Sequence, residues 1–327
     1  MNFWKNKRVL VTGGAGFIGS HLVERLVAEG AKVRAVDNLE NSSLENLGKV
    51  KDRIEFRQKD LRILKDCLEA SQNQEIILNL AAKVGGIEFN RKHLGTMFKD
   101  NILTNTHMLE AARLKNVERF LVVSSACVYP RYCTIPTPEE EGFKDVPEPT
   151  NEGYGWAKRM AEVQARAYTQ EFGMKIAIAR PYNTYGPRDH FAPEKSHVIP
   201  ALIKRVFDGE DPLTVWGDGE QSRAFLYVED LVEGMLKAIE AYPVCDPVNL
   251  GTVEEIKIKD LVKLIIKLSG KNPRVHFDTS KPSGQPRRNC DSRKAREKLG
   301  FEAQIGLKEG LEKTIAWFAT TKAQKEK

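Results

Sequence analysis

Four side chains of this 327-residue sequence are suited by type and spacing to proton chemistry: Ser125, Cys127, Tyr154 and Lys158. Tyr154-Gly155-Trp156-Ala157-Lys158 opens a stretch with helical periodicity, and residues four apart share one helix face. The ammonium then lies beside the phenol. A free tyrosine, with a pKa near 10, is a poor base at neutral pH. A neighbouring cation lowers that value by roughly 1–3 units. Ser124-Ser125-Ala126-Cys127-Val128-Tyr129 closes an apolar strand pattern. In extended chain Ser125 and Cys127 point the same way. A thiol beside a cationic group supplies thiolate near neutrality; the alternative for Cys127 is a small buried hydrophobe.

A second constellation stands near the N-terminus. Thr12-Gly13-Gly14-Ala15-Gly16-Phe17-Ile18-Gly19 follows a β-rich run and opens a helical pattern. Gly13 suits the tight turn, Gly16 lets the backbone approach a pyrophosphate, and Gly19 lets helix and strand pack closely. The helix N-terminus offers unpaired N–H groups and a favourable dipole to phosphates. Asp37 ends the second strand pattern, eighteen positions after Gly19, where a carboxylate takes ribose hydroxyls. A 2′-phosphate there meets repulsion of up to about 4 kcal/mol at contact in an effective dielectric near 20. Arg34 points to the opposite strand face, and Asn38, Leu39 and Glu40 bring no cation. The expected cofactor is therefore NAD rather than NADP. Asp60, after the third strand pattern, is either a partner of the adenine amino group or a helix N-cap.

The elements that must position these groups alternate. Strand patterns at Arg8–Thr12, Lys32–Val36, Ile54–Arg57, Ile76–Leu80, Phe120–Ser124 and Ile176–Ala179 are separated by helical ones, notably 17–29, 101–114 and 156–172. Runs this apolar are buried on both faces, as a parallel sheet between helices requires. The fold class is α/β: a doubly wound (Rossmann) sheet over 1–180, then a smaller α/β substrate lobe over 181–327. Residues 225–250 are expected to return to the main sheet, with Asp230–Ala241 as helix and Pro247–Leu250 as strand. Lys+Arg 51 against Asp+Glu 45 gives a net charge of +6, without the basic stripe of a nucleic-acid binder. The five cysteines are odd in number and widely spaced, which argues against disulfides or a zinc site and for a reducing compartment. With no apolar run of about 18 residues and a charged start, the expected location is cytoplasmic, away from membranes.

Taken together, the chain resembles the extended short-chain dehydrogenase/reductases of the nucleotide-sugar epimerase/dehydratase group. The likeness rests on TGGAGFIGS (12–20), Asp37, NLAAKV (79–84), SSACVYP (124–130), YGWAK (154–158), YNTYGPR (182–188), GDGEQSRAFLYVEDL (217–231) and KPSGQPRR (281–288). It implies Ser125, Tyr154 and Lys158 as the catalytic triad, with Asn101 supporting proton relay. It places Phe17, Ile18, Asn38, Leu61, Leu80, Ala81, Ala82 and Lys83 around the cofactor beside the glycines, Asp37 and Asp60. Asn183, Arg223 and one or both of Arg287 and Arg288 would hold the diphosphate of a nucleotide-sugar substrate. Homodimers through helices 101–114 and 156–172 are common in the group, and Leu103, Ala111, Met160, Ala161, Ala165 and Tyr168 are candidates for the seam.

Within the group, the loop Lys83–Ile87 with Gly86, and the segment 196–202 with His197 and Val198, are similar to GDP-L-fucose synthase. SSACVYP and the Trp216-containing VWGDGEQSRAF resemble GDP-mannose 3,5-epimerase equally well. In the synthases a cysteine and a histidine, here Cys127 and His197, form the acid/base pair. The mannose epimerases use a lysine, for which Lys195 is the neighbouring counterpart. A packed loop is the alternative for His197. Fucose synthases reduce with NADPH, whereas Asp37 and GGAGFIG fit a retained NAD and a redox-neutral cycle. The expectation is an epimerase that oxidises C4 and inverts C3/C5 of a GDP-sugar, with a simple 4-epimerase or a synthase-like epimerase/reductase as alternatives. Cys127-Val128 replaces the acidic pair of 4,6-dehydratases, and a non-catalytic NAD-binding protein has no use for the tyrosine pair.

Overall fold

The computed structural model describes residues 2–192, 196–281 and 285–325. The chain begins with β1 (Arg8–Thr12), α1 (Phe17–Ala28), β2 (Lys32–Asp37), β3 (Glu55–Gln58), α2 (Leu64–Ser71), β4 (Ile76–Asn79), α3 (Ile87–Lys92), α4 (Leu94–Leu114), β5 (Arg119–Val123), α5 (Glu152–Phe172) and β6 (Lys175–Pro181). It continues with β7 (Thr184–Tyr185), α6 (Val198–Phe207), β8 (Leu213–Trp216), β9 (Ser222–Ala224), β10 (Leu226–Tyr227), α7 (Val228–Ala241), β11 (Pro247–Leu250), β12 (Glu255–Lys257), α8 (Ile258–Ser269), β13 (Val275–Asp278), β14 (Arg287–Arg288), α9 (Arg293–Leu299) and α10 (Leu307–Lys325).

Seven strands form one parallel sheet in the order β11-β6-β5-β4-β1-β2-β3. Side chains alternate across it. Val9 and Val11 pack on one face against Leu22 and Leu26 of α1 and Leu231 and Met235 of α7. Leu10, Ile77 and Phe120 pack on the other face against Met108 of α4 and Ala161 and Ala165 of α5. The order reverses between β1 and β4, so the crevice above their carboxyl ends is the place for a ligand. Pro247–Leu250 does return to this sheet, as its edge strand beside β6. A third core joins α6, β8, α8 and α10, and β12-β9-β14 forms a small sheet of its own.

Two helices start earlier than their periodicity indicates. α4 begins at Leu94 rather than Asn101, and α5 at Glu152 rather than Trp156. Two glycines in the first turn of α5 serve close approaches. A Cβ on Gly153 would lie 2.5 Å from the Leu94 carbonyl oxygen, and one on Gly155 2.6 Å from that of Cys127. Asn151 precedes α5 but does not cap it, because its side chain accepts from Asn90 Nδ2 at 2.7 Å. Among the described residues no helix is long and apolar enough to cross a membrane.

Candidate active site

The glycine loop is shaped for a dinucleotide. Gly13 has φ 64°, in the left-handed region, and a Cβ on Gly19 would sit only 2.0 Å from the Gly13 carbonyl oxygen. Only glycines let α1 begin this close to β1, with its first N–H groups unpaired within the helix. Thr12 Oγ1 donates to Asn79 Oδ1 at 2.8 Å and accepts from Ala81 N at 3.0 Å, fixing Leu80–Ala82 beside the loop. Asn101 holds Lys83 at both backbone ends, accepting from its N–H and donating to its carbonyl at 3.0 Å each. Phe17 and Ile18 pack against the third core.

Asp37 Oδ1 accepts from Leu39 N and Ser42 Oγ, and Oδ2 from Ala15 N at 3.1 Å. A carboxylate has about four acceptor positions, so Oδ2 keeps one for a ribose hydroxyl. Arg34 is spent on the other side of the strand, on Glu55 and the carbonyls of Ala70 and Gln72. The cradle and its acid fit NAD. Asp60 is neither free nor a helix cap: Arg62 grips its carboxylate through its backbone N–H, Nε and Nη2. Leu61 is buried in the core, and Asn38 turns its side chain to Glu40 N.

At the end of β5 the chain makes a single tight turn, Ala126–Val128, capped by Ser125 Oγ, which accepts from Cys127 N at 3.1 Å. Tyr154 hydrogen-bonds Ser125 from the first turn of α5. Lys158, one turn on, donates to the Val123 carbonyl at 2.7 Å with Nζ 5.5 Å from the Tyr154 ring centre. Cys127 lies close enough that negative charge on it raises the proton affinity of both. Ser125, Cys127, Tyr154 and Lys158 thus share one site. The expected lowering of the phenol pKa is absent from the protein alone. Burial raises it, with Cys127 adding and Ser125 opposing, while burial also pulls Lys158 down to about 8. Loss of water penalises both charged forms more than their proximity rewards them.

The turn rests on residues that sequence reading missed. Ser124 Oγ donates to Glu162 at 2.5 Å, and Glu162 pairs with Arg180 at 2.7 Å in full burial. Arg180 also donates to Tyr129 Oη and the Glu139 carbonyl, and Arg159 to the Val128 carbonyl. The available signal was position: Glu162 lies four residues beyond Lys158 on the same helix face, and Arg180 interrupts an apolar strand.

The opposite wall is more open. Arg223 and Arg288 are register partners of β9 and β14, and among the described residues neither forms an ion pair. Burial, then the charge of Arg288, lowers the Arg223 pKa to about 10. Arg288 Nη2 donates to the Ala126 carbonyl at 2.6 Å. Arg287 points the other way, into a two-pronged pair with Glu255, whose carboxyl it holds down at about 2. Asn183 donates to the Ala224 carbonyl at 2.9 Å. Trp216 ends β8 with 56% of its surface exposed. His197 immediately precedes α6, whose first residue is Val198; desolvation, then the charge of His190, lowers its proton affinity. Gly86 precedes α3. Lys195 lies outside the described residues.

Residues 9–251 match the NAD dependent epimerase/dehydratase family. The chain is 32% identical over 321 residues to dTDP-4-dehydro-6-deoxy-D-allose reductase of Streptomyces bikiniensis, covering 96% of this chain and 97% of the relative. It is 31% identical over 318 residues to GDP-mannose 3,5-epimerase 1 of Oryza sativa subsp. indica, covering 96% and 83%. Among solved structures, UDP-glucose 4-epimerase of Thermotoga maritima with UDP-glucose superposes with a TM-score of 0.85 at 31% identity, over 96% of this chain and 99% of that one. With a glycine cradle and acid that accept NAD, a serine–tyrosine–lysine site above the switch point, and a match over most of its length, the chain belongs to the NAD-dependent epimerase/dehydratase family of nucleotide-sugar-modifying enzymes.

Proposed function

We propose that the protein is an NAD-dependent nucleotide-sugar epimerase that transiently oxidises C4 of a GDP-hexose and inverts C3 and C5. The observation that carries this reading is Cys127, placed with Ser125, Tyr154 and Lys158 rather than packed into the core. Bound NAD supplies the two-electron acceptor for C4 and a positive charge that favours the phenolate. Tyr154 removes the C4 hydroxyl proton, with Ser125 hydrogen-bonded to it, and Lys158 holds the phenol's surroundings positive. A C4 ketone makes the C3 and C5 protons acidic, so inversion needs a base on one face and an acid on the other. Cys127 is assigned one face and His197 the other.

Residues from 181 onward serve the substrate in this reading. Arg223 and Arg288, rather than Arg287, bracket the diphosphate, because Arg287 is held by Glu255 while neither of the other two has a carboxylate partner among the described residues. Two forked donors facing one anion make strong charge-assisted bonds. The exposed Trp216 offers a stacking surface for a purine, which supports guanosine. Five free cysteines fit a reducing, cytoplasmic setting. A homodimer through α4 and α5 would use the exposed Phe98, Leu114, Val163 and Phe172. Of the six seam candidates, Ala111, Ala161 and Ala165 are already consumed in the protein's own core.

The likeness to a 4-epimerase structure favours a second reading, in which Cys127 is inert. Incubating the enzyme with nucleotide sugars in deuterated buffer separates the two. Label at C3 or C5, abolished by Cys127→Ala, is expected; turnover at C4 without label overturns the proposal. Net reduction with consumption of reduced cofactor would instead align the protein with the reductase relative.

A further inference from the structure

The loop after β7 contains a residue that the reaction does not use. Arg188 has φ 69°, a region that a non-glycine residue holds only where its surroundings impose it. Its side chain is only 10% exposed and crosses to α1. Nη1 donates to Glu24 Oε1 at 2.9 Å and to the Asn46 carbonyl at 2.7 Å. Nη2 donates to Glu24 Oε2 at 3.0 Å and faces His21 Nδ1 at 2.9 Å. The other ring nitrogen of His21 lies 3.0 Å from the Pro187 carbonyl. Nε2 therefore carries the proton and Nδ1 accepts, which is the neutral imidazole.

The connection continues into the glycine loop. Asn46 Nδ2 donates to the Ala15 carbonyl at 2.9 Å, and Ala15 N donates to Asp37 Oδ2 at 3.1 Å. Ala15 stands between Gly14 and Gly16, two residues with no Cβ to restrict their backbone. Its carbonyl, if released, is free to swing toward the phosphates and oppose them, since both bear negative charge. Asn46 holds that carbonyl aside, and Arg188 holds the Asn46 backbone and the first two turns of α1.

We propose that Arg188 is a positioning residue for NAD, acting through Asn46 and α1 to keep the glycine loop in its phosphate-accepting form. Retention of the cofactor then depends on a side chain from the far half of the chain. The test is the rate at which bound NAD leaves the holoenzyme, followed by exchange with isotope-labelled NAD. Affinity for the tighter of GDP and UDP is measured on the same holoenzyme. Arg188→Met should speed NAD release at least tenfold and leave nucleotide-diphosphate affinity within twofold. Arg188→Lys, which keeps the charge but loses the fork, should fall between. NAD release within twofold of the parent overturns the proposal, as does equal weakening of both ligands, which would mark a general loosening. If Arg188→Met does not fold, Asn46→Ala cuts only the link to Ala15; faster NAD release is again expected, and an unchanged rate refutes the idea.

Discussion

The two walls of the crevice are built on opposite plans. On the sheet side, the polar groups around the reaction centre are engaged: Lys158 on Val123, Ser124 on Glu162, Glu162 on Arg180, Asn101 on Lys83. On the other side, Arg223 and Arg288 are register partners that form no ion pair among the described residues, and Trp216 is largely bare. The sheet wall holds its polar groups in fixed hydrogen bonds. In the proposed function, the open wall makes its strongest interactions only when the diphosphate and base of the substrate arrive. That reading puts the proton chemistry where polar groups are already engaged, and selectivity where they are not.

The contrast can be broken at either wall. On the sheet side, Tyr154→Phe should lower turnover of whichever nucleotide sugar the enzyme converts by ~10³-fold with little change in KM, since proton transfer by a positioned group contributes about 10²–10⁴. Steady-state kinetics check this, and a loss below tenfold would remove Tyr154 from the reaction. Glu162→Gln leaves Arg180 charged and buried without its partner, at a cost of about 3–5 kcal/mol, measured by urea unfolding. On the open wall, Arg223→Met and Arg288→Met should each weaken GDP binding by ~10–100-fold, from the loss of about 1.5–3 kcal/mol per charged hydrogen bond. Arg287→Met should change it less than twofold, by calorimetry. Equal effects at Arg287 and Arg288 would erase the distinction between the two faces of β14.

A further effect is a pH dependence at the join between the halves. Burial, then the charge of Arg188, lowers His21 to about 4. The unfolded chain, with histidine near 6.5, then binds one more proton than the native protein between about pH 6.5 and 4. Stability is fully present above that window and is lost as pH falls through it, by up to about 3 kcal/mol. His21→Gln should flatten the slope of unfolding free energy against pH in that window.

Much of the sheet wall was legible before any coordinates. Glycines in a fixed spacing, an acid at a strand end and a tyrosine–lysine pair are local patterns, and local geometry places them. Strand ends fell within about two residues because a short continuous apolar run is itself the signal of a strand buried on both faces. What escaped depends on neighbours distant in sequence. The starts of α4 and α5 were hidden by Gly95, Gly153 and Gly155, the last two of which make room for other backbone. Which of Arg287 and Arg288 lies opposite Arg223 and which pairs with Glu255 follows from the register of a two-residue strand against β9, which one sequence does not reveal. The pKa of Tyr154 escaped for a different reason: adjacency to Lys158 is visible in the sequence, but the shared loss of water is not.

Tyr154, Lys158 and Glu162 occur at successive intervals of four along α5, a rise of about 6 Å each. The helix therefore works as a ruler, setting the spacing between phenol, ammonium and buried carboxylate by its own pitch. Lengthening this segment by one residue between any two of these marks would turn the later one through about 100° and away from its present partners, so the segment's length is as fixed a requirement as the side chains it carries.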